Sequence, residues 1–129
     1  MPKPDSLGHF EQLVLTAILT LRDDAYGVTI HAKVRELARP KEISPGAVYV
    51  TLDRLEDKRL VASWLSEPMP ERGGRARRCY RLAPAGERAL RESAATARRI
   101  WEITTKVWGE PETVAASREA ASRPRGASL

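Results

Sequence analysis

The chain has 129 residues and carries 22 Lys and Arg against 17 Asp and Glu, a formal net charge of +5. This length suits one modest domain, and the 42% apolar content favours a folded chain over a disordered one. No apolar run reaches the ~20 residues of a membrane span, and the N-terminal residues lack the apolar stretch of a signal peptide. A single Cys and two distant His argue against a disulfide and a zinc site, so we expect a cytoplasmic protein without metal or cofactor.

The basic charge is concentrated in one segment. The first 60 residues contain nine basic and nine acidic groups, whereas five Arg and no acid lie between Arg72 and Arg81. A local basic patch is the electrostatic footprint of a surface that binds a polyanion. A merely solvated Arg-rich surface would have the same composition, so charge alone leaves both interpretations open.

Three helices are predicted in the first 60 residues. Apolar residues at helical spacing predict an amphipathic helix over about residues 7–22 and a second over about residues 26–37. Gly27 lies near the start of the second helix, where it either weakens that end or permits close packing. Ser44-Pro45 then starts a third helix that runs to about residue 59, since Ser is a preferred N-cap and Pro suits the first helical position.

The third predicted helix has two unlike faces. Val48, Leu52 and Leu55 form a narrow core stripe, whereas the opposite face begins with unusually small residues. That outer face comprises Gly46, Ala47, Val50, Asp53 and Arg54. Tyr49 lies at the edge of the core stripe, where its ring could pack while its hydroxyl reaches outward.

The pattern changes after residue 60. Short β-forming segments over residues 60–67 and 77–82 flank a Pro- and Gly-rich stretch, which predicts a hairpin with a basic tip. Trp64, in the first of these strands, is expected in the core. A final helix is predicted over residues 84–108, and residues 109–129 are expected to be a disordered tail because they contain almost no large apolar group.

One face of the final predicted helix carries a short heptad-like seam. Its members are Leu90, Ala94, Ala97, Trp101, Thr104 and Trp108. Trp101 and Trp108 lie seven residues apart, so they share this face. They could fill the interface of a dimer, as large aromatic side chains do well, or they could line a ligand pocket.

The predicted elements follow the order of a winged helix: helix, helix, turn, helix, basic hairpin and long helix. The winged helix is a mainly α helix-turn-helix variant with a small β-hairpin wing. In such folds the third helix enters the DNA major groove. Its free N–H groups suit phosphate, its small first-turn residues permit close approach, and Val50 could touch a thymine methyl group. We expect residues 1–83 to form the DNA-binding domain. The predicted DNA-binding residues are Ser44, Gly46, Ala47, Tyr49, Val50 and Arg54 of the helix and Arg72, Arg75, Arg77 and Arg78 of the wing.

Four stretches of the chain carry a family resemblance: residues 7–21 (LGHFEQLVLTAILTL), 26–30 (YGVTI), 44–61 (SPGAVYVTLDRLEDKRLV) and 74–90 (GRARRCYRLAPAGERAL). In this order and spacing they resemble the PadR-like family of bacterial winged-helix transcriptional regulators. The chain departs from the family pattern at Val50, where Pro is usual, and at Ala83, where Thr usually precedes the last helix.

The resemblance implies a homodimeric cytoplasmic repressor whose C-terminal helix, residues 84–108, forms the dimer. It also implies a regulated gene for a transporter or a detoxification enzyme and a small aromatic or amphipathic effector. Two-fold symmetry predicts an inverted-repeat operator in double-stranded DNA. The residues expected at the dimer interface or ligand pocket are Leu90, Ala97, Trp101, Thr104 and Trp108.

Two other classes of function compete with this one. A winged-helix module could bind an acidic protein partner through the basic hairpin, although the small outer face of the third helix does not favour it. The sequence offers no Gly-rich phosphate loop, no His-paired nucleophile and no carboxylate pair in an apolar setting, so we do not expect an enzyme. Cys79 is expected to pack as a small hydrophobic residue.

Overall fold

A computed structural model describes residues 7–68 and 73–110 of the chain. The predicted elements are confirmed in type and order, and their bounds agree to about two residues. In chain order they are helix α1 (His9–Leu21), a 3-10 turn (Arg22–Asp24), helix α2 (Gly27–Ala38), helix α3 (Pro45–Asp57), strand β1 (Val61–Leu65), strand β2 (Arg78–Leu82) and helix α4 (Pro84–Trp108). Residue contacts divide the chain into two compact units, with the boundary between Ala94 and Ala95.

The core of the first unit lies among α1, α2 and α3 and is closed by the base of the hairpin. Each fully buried aliphatic side chain contributes roughly 1.5–3 kcal/mol relative to exposure. The predicted core stripe of α3 is confirmed, because Val48, Leu52 and Leu55 are fully buried. The other large members of this cluster are Val14, Leu15, Ile18, Ile30, Val34, Leu60, Val61 and Tyr80.

Glu11 ties the start of α1 to the end of α3. Its Oε1 accepts a hydrogen bond from the Gly8 amide at 2.9 Å, and its Oε2 pairs with the Nζ of Lys58 at 2.8 Å. Burial by itself would raise the pKa of the Glu11 carboxyl. The bonds from Lys58 and Gly8 and the charges of Lys58 and Arg54 outweigh burial, so the pKa lies below its ordinary value of 4.5.

The hairpin pairs β1 and β2 in antiparallel register, with Val61 opposite Leu82 and Leu65 opposite Arg78. Burial falls along β1 from Val61 to Leu65. β1 is the outer strand, because β2 lies between it and Tyr26, and Cys79 of β2 is buried opposite Trp64. The prediction that Trp64 lies in the core is therefore wrong: its side chain is 41% exposed. The Arg81 guanidinium lies 5.5 Å from the centre of the Trp64 ring, a cation–π arrangement on the hairpin surface.

Backbone packing fixes the start of α4. The Ala83 amide donates to the Leu60 carbonyl oxygen at 2.9 Å, and the Ala83 carbonyl accepts from the Glu87 amide at 3.0 Å. Gly86 is buried so tightly against this turn that a methyl group there would overlap the Leu60 carbonyl oxygen. The helix therefore begins at Pro84 even though Ala83 has no side chain that could cap it.

The second unit contains the later turns of α4. Its large apolar side chains are exposed within the unit, and Trp101 and Trp108 show 50% and 81% of their surface. The helix ends at Trp108 and is followed by Gly109, whose φ of +82° suits glycine and whose amide donates to the Thr105 carbonyl at 2.8 Å. Across residues 7–68 and 73–110, no helix is long and apolar enough to cross a membrane. The predicted disordered tail lies outside the described residues beyond position 110.

Candidate nucleic-acid interface

The first turn of α3 presents small groups to solvent. Ser44 is its N-cap as predicted, since its Oγ accepts a hydrogen bond from the Ala47 amide at 3.1 Å. Gly46, Ala47 and Val50 are all exposed, and a methyl group at Gly46 would meet no atom within 4 Å. This turn can therefore approach a surface as closely as its backbone allows.

The side chain of Tyr49, which follows that turn, lies against Gly27 at the start of α2. Its side chain is 47% exposed. A methyl group built at Gly27 would lie 2.7 Å from both Cε1 and Oη of Tyr49, closer than real side chains come. Of the two predicted roles of Gly27, close packing is the one observed. Arg54 lies exposed one turn further along α3, next to the exposed Asp53.

A hydroxyl group links α3 to both strands of the hairpin. Ser63 Oγ donates to Oε2 of Glu56 at 2.6 Å and accepts from Nη1 of Arg78 at 2.9 Å. The hydroxyl uses its donor and one acceptor site, so the three side chains form one continuous network. This network sets the position of the hairpin relative to the end of α3.

The hairpin arginines differ in their surroundings. Arg75 and Arg78 are exposed, whereas Arg77 is half-buried, with its guanidinium carbon 3.8 Å from the centre of the Tyr26 ring. Gly73 and Gly74 precede them with φ of +69° and +78°, a left-handed turn that glycine adopts without steric cost. Arg72 lies outside the described residues.

The five residues predicted for a dimer interface or ligand pocket fall in both units. Leu90 belongs to the first unit and packs, partly buried, against its core. Ala97, Trp101 and Trp108 are exposed in the second unit, and Thr104 is half-buried there. Exposed Ile100, Ile103 and Val107 widen the apolar face of this helix beyond the predicted seam.

Metal chemistry finds no support in the part of the chain that the structure describes, where no three His, Cys, Asp or Glu side chains lie close enough to hold a metal ion. Cys79 is buried, as expected of a small hydrophobic residue.

Sequence reasoning missed three residues that position this surface: Tyr26, Glu56 and Ser63. The sequence places Tyr26 at the start of a predicted helix and of the family stretch 26–30, and it places Glu56 within the third predicted helix. Arg77, the partner of Tyr26, lies far along the chain, and Ser63, the partner of Glu56, lies only seven residues on but in strand β1. Helical and strand periodicity therefore carried no signal for these contacts.

A three-helix core with a basic hairpin, joined to a third helix whose first turn is small and exposed, defines a winged-helix DNA-binding protein. Residues 14–92 match the profile of the transcriptional regulator PadR-like family. Because the match spans more than half of the chain, the chain belongs to the PadR-like family. It is a DNA-binding transcription regulator and not an enzyme.

Solved structures share this fold. A PadR family transcription regulator from Clostridium difficile R20291 is 27% identical, with a TM-score of 0.64 over 79% of this chain and 100% of that one. A PadR family transcriptional regulator from Eggerthella lenta DSM 2243 is 28% identical, with a TM-score of 0.58 over 74% of this chain and 80% of that one. The ORC1 protein of Aeropyrum pernix, solved in complex with DNA, is 25% identical, with a TM-score of 0.56 over 74% of this chain and 26% of that one. No curated protein matches the sequence.

Proposed function

We propose that this regulator is a homodimeric repressor that binds an inverted repeat in double-stranded DNA and controls a gene for a transporter or a detoxification enzyme. The observation that carries the proposal is the exposed first turn of α3, in a helix whose last turn is bonded through Glu56 and Ser63 to a hairpin that carries arginines. One element is shaped to enter a groove and the other to meet phosphates. The structurally similar ORC1 protein, solved in complex with DNA, supports DNA as the partner of this chain.

The two elements contribute different kinds of contact. In the proposed complex Ser44, Gly46 and Ala47 bring the α3 backbone to the groove, Val50 meets a base, and Tyr49 and Arg54 flank it. Arg75 and Arg78, together with Arg72, meet the phosphate backbone. Base contacts carry sequence information, whereas phosphate contacts carry affinity and salt dependence.

A comparison of Arg75→Ala with Val50→Ala tests this division by fluorescence anisotropy between 50 and 200 mM salt. Arg75→Ala should weaken binding to every duplex alike and lower the slope of log K against log salt by about 0.9 for each phosphate that the protein no longer neutralises. Val50→Ala should leave that slope unchanged and alter the preference at one base pair in each half-site. An equal loss on every duplex from both variants would contradict the division.

The proposed regulator should strongly prefer one site. Binding to the operator, with half-sites about 10 bp apart or a multiple of it, should be about a thousandfold or more tighter than to unrelated DNA of equal length. The DNA upstream of the chain's own gene and its neighbours is the first place to look. Equal affinity for that DNA and for random duplexes would end the proposal.

The proposed dimer forms through residues 84–108. The support is the wide apolar face of α4 in the second unit, since contiguous exposed apolar surface marks an interaction site. Charged substitutions at Trp101 and Trp108 should give monomers by sedimentation velocity, whereas the same change at exposed Trp64 should leave the dimer intact. Monomers should also lose tight operator binding, because each would hold only one half-site. A dimer that survives both substitutions in α4 would place the interface elsewhere.

The proposed effector is a small aromatic or amphipathic compound that reaches the same tryptophans. A panel of aromatic cations should quench the fluorescence of a Trp64→Phe protein, in which Trp101 and Trp108 remain as reporters. A compound that quenches should also release the operator from the protein. The proposed effector binds the DNA-free protein more tightly than the operator complex, so it must weaken operator binding by the same factor. Quenching without release would separate ligand binding from regulation and remove the effector from the proposal.

A further inference from the structure

The dipeptide Tyr26-Gly27, where α2 begins, is contacted by both of the elements assigned to DNA. The hairpin reaches it from one side: Tyr26 forms an isolated antiparallel bridge with Cys79, and the Tyr80 amide donates to the neighbouring Ala25 carbonyl at 2.9 Å. Tyr49 of α3 lies against Gly27. The backbone of these two residues therefore serves as a common support for the hairpin and α3.

Arg77 is built into this support. Its amide donates to Ser66 Oγ at 3.1 Å, and its carbonyl accepts from the Ser66 amide at 2.8 Å, so the hairpin fixes its backbone on both sides. Its guanidinium carbon lies 3.8 Å from the centre of the Tyr26 ring, within cation–π range. Its Nε is buried and finds no hydrogen-bond partner among the described residues. A planar, charged group held face-on to a ring in this way acts as a spacer between hairpin and helix.

The position of Tyr49 requires that residue 27 has no side chain. The Tyr49 ring edge and hydroxyl both occupy the space in which a Cβ at position 27 would lie, at 2.7 Å from Cε1 and Oη. Tyr49 follows Val48, which is fully buried in α3. The contact with Gly27 therefore lies directly beside a core residue of α3 and brings the exposed start of that helix against α2.

We propose that Tyr26-Gly27 aligns the hairpin with α3 for a single DNA site, and that Arg77 is a positioning residue that acts through Tyr26 and not a phosphate contact. This inference rests on the proposed function, in which α3 and the hairpin contact the same duplex. It revises the prediction made from the sequence, which placed Arg77 among the DNA contacts because of its charge and its place in the basic hairpin. The distinguishing property is the salt slope. A phosphate contact contributes to that slope through its positive charge, which lysine retains, whereas position 77 depends on the planar guanidinium stacked on the ring, which lysine lacks.

The experiment compares lysine and alanine substitutions at Arg77 and Arg75 in the full chain. The probes are a duplex selected by the wild-type protein from a random pool and an unrelated duplex of equal length. Arg77→Lys and Arg77→Ala should both lose affinity for the selected duplex, on the order of tenfold, with the salt slope unchanged. Arg75→Ala should lower the salt slope by about 0.9, and Arg75→Lys should restore it.

A cycle with Tyr26→Leu tests whether Arg77 acts through the ring. The double variant should bind no more weakly than either single variant, because each removes the same interaction. Additive losses, or wild-type binding by Arg77→Lys together with a reduced salt slope for Arg77→Ala, would overturn the inference and return Arg77 to the phosphate contacts. Urea unfolding of each variant identifies any loss of affinity that comes from misfolding. For a variant that is partly unfolded, the salt slope still decides the role of Arg77, because it reports ion release by the folded fraction alone.

Gly27→Ala gives an independent measurement. In the wild-type background it should reduce the preference for the selected duplex over the unrelated one, because Tyr49 is displaced. In a Tyr49→Ala background the methyl group meets no ring, and Gly27→Ala should have no further effect on that preference. An equal effect in both backgrounds would refute the support role of Gly27. A wild-type protein without sequence preference would refute the proposed function instead, and the Arg77 salt slopes on the unrelated duplex would still decide the role of Arg77.

Discussion

Gly86→Ala should destabilise the first unit, although alanine is the better helix former. The new methyl group would overlap the Leu60 carbonyl oxygen and lie 3.0 Å from its carbonyl carbon, whereas carbon pairs pack best at about 3.5–4.0 Å. Both atoms belong to backbone, so no side chain can rotate away, and overpacking of this kind costs about 1–3 kcal/mol. Movement of the turn would also strain the 2.9 Å bond from the Ala83 amide to Leu60, which is worth about 1 kcal/mol.

The helix propensity of alanine returns at most about 1 kcal/mol of this loss, which leaves a net destabilisation of about 1–3 kcal/mol. Gly46→Ala is the matched control, because it makes the same chemical change near the start of α3, where a methyl group meets nothing within 4 Å. There only the propensity gain of about 0.4–1 kcal/mol remains. The same substitution should therefore change the free energy of unfolding with opposite sign at the two positions.

Urea unfolding followed by circular dichroism measures both variants beside the wild type. Protein concentration must be held fixed, since the stability of an oligomer depends on it. The midpoints should follow the order Gly46→Ala, wild type, Gly86→Ala, with similar slopes in urea. A Gly86→Ala midpoint at or above that of Gly46→Ala would show that α4 can shift freely from Leu60, and the packing argument would fail.

Three further outcomes follow from the core of the first unit. Glu11→Gln should lower the free energy of unfolding by about 1–3 kcal/mol at neutral pH. Because the pKa of Glu11 is lowered in the folded chain, this stabilisation is present above pH 4.5 and is lost as the pH falls through the folded pKa. Below that pH the variant and the wild type should unfold alike in urea. Leu52→Ala should cost about 2–5 kcal/mol by urea unfolding, against less than about 0.5 for exposed Leu65→Ala; equal costs would contradict the burial pattern. Cys79 should react with a thiol reagent at a rate that rises with urea, because reaction requires opening of the fold, and immediate reaction in native buffer would show an accessible thiol.

Elements defined by local signals were predictable from the sequence. The Ser44-Pro45 start of α3 and its stripe of Val48, Leu52 and Leu55 depend on residues within a few turns of each other, and the structure confirms both. The hairpin also followed from local turn and strand composition. Because these elements define a winged helix, the fold class was available before any contact was known.

Features that depend on distant pairing were not predictable. Trp64 is expected in the core from its place in the first strand of the hairpin, yet the structure shows that β1 is the outer strand, with β2 between it and Tyr26. Arg77 carries the charge of a DNA contact, and nothing near it in sequence indicates the ring of Tyr26. Lys58 likewise gives no local sign of its pairing with Glu11. These contacts are decided by tertiary packing, which periodicity does not describe.

The bond between Ser63 and Arg78 has a consequence for the entropy of binding. A long side chain that is free in solution loses about 0.5–1.5 kcal/mol of conformational freedom when a partner immobilises it. Ser63 already restrains Arg78 in the folded chain through one of the five guanidinium donors. Part of the ordering cost is therefore met during folding, and an anion that meets the remaining donors gains affinity from a side chain that is already preorganised.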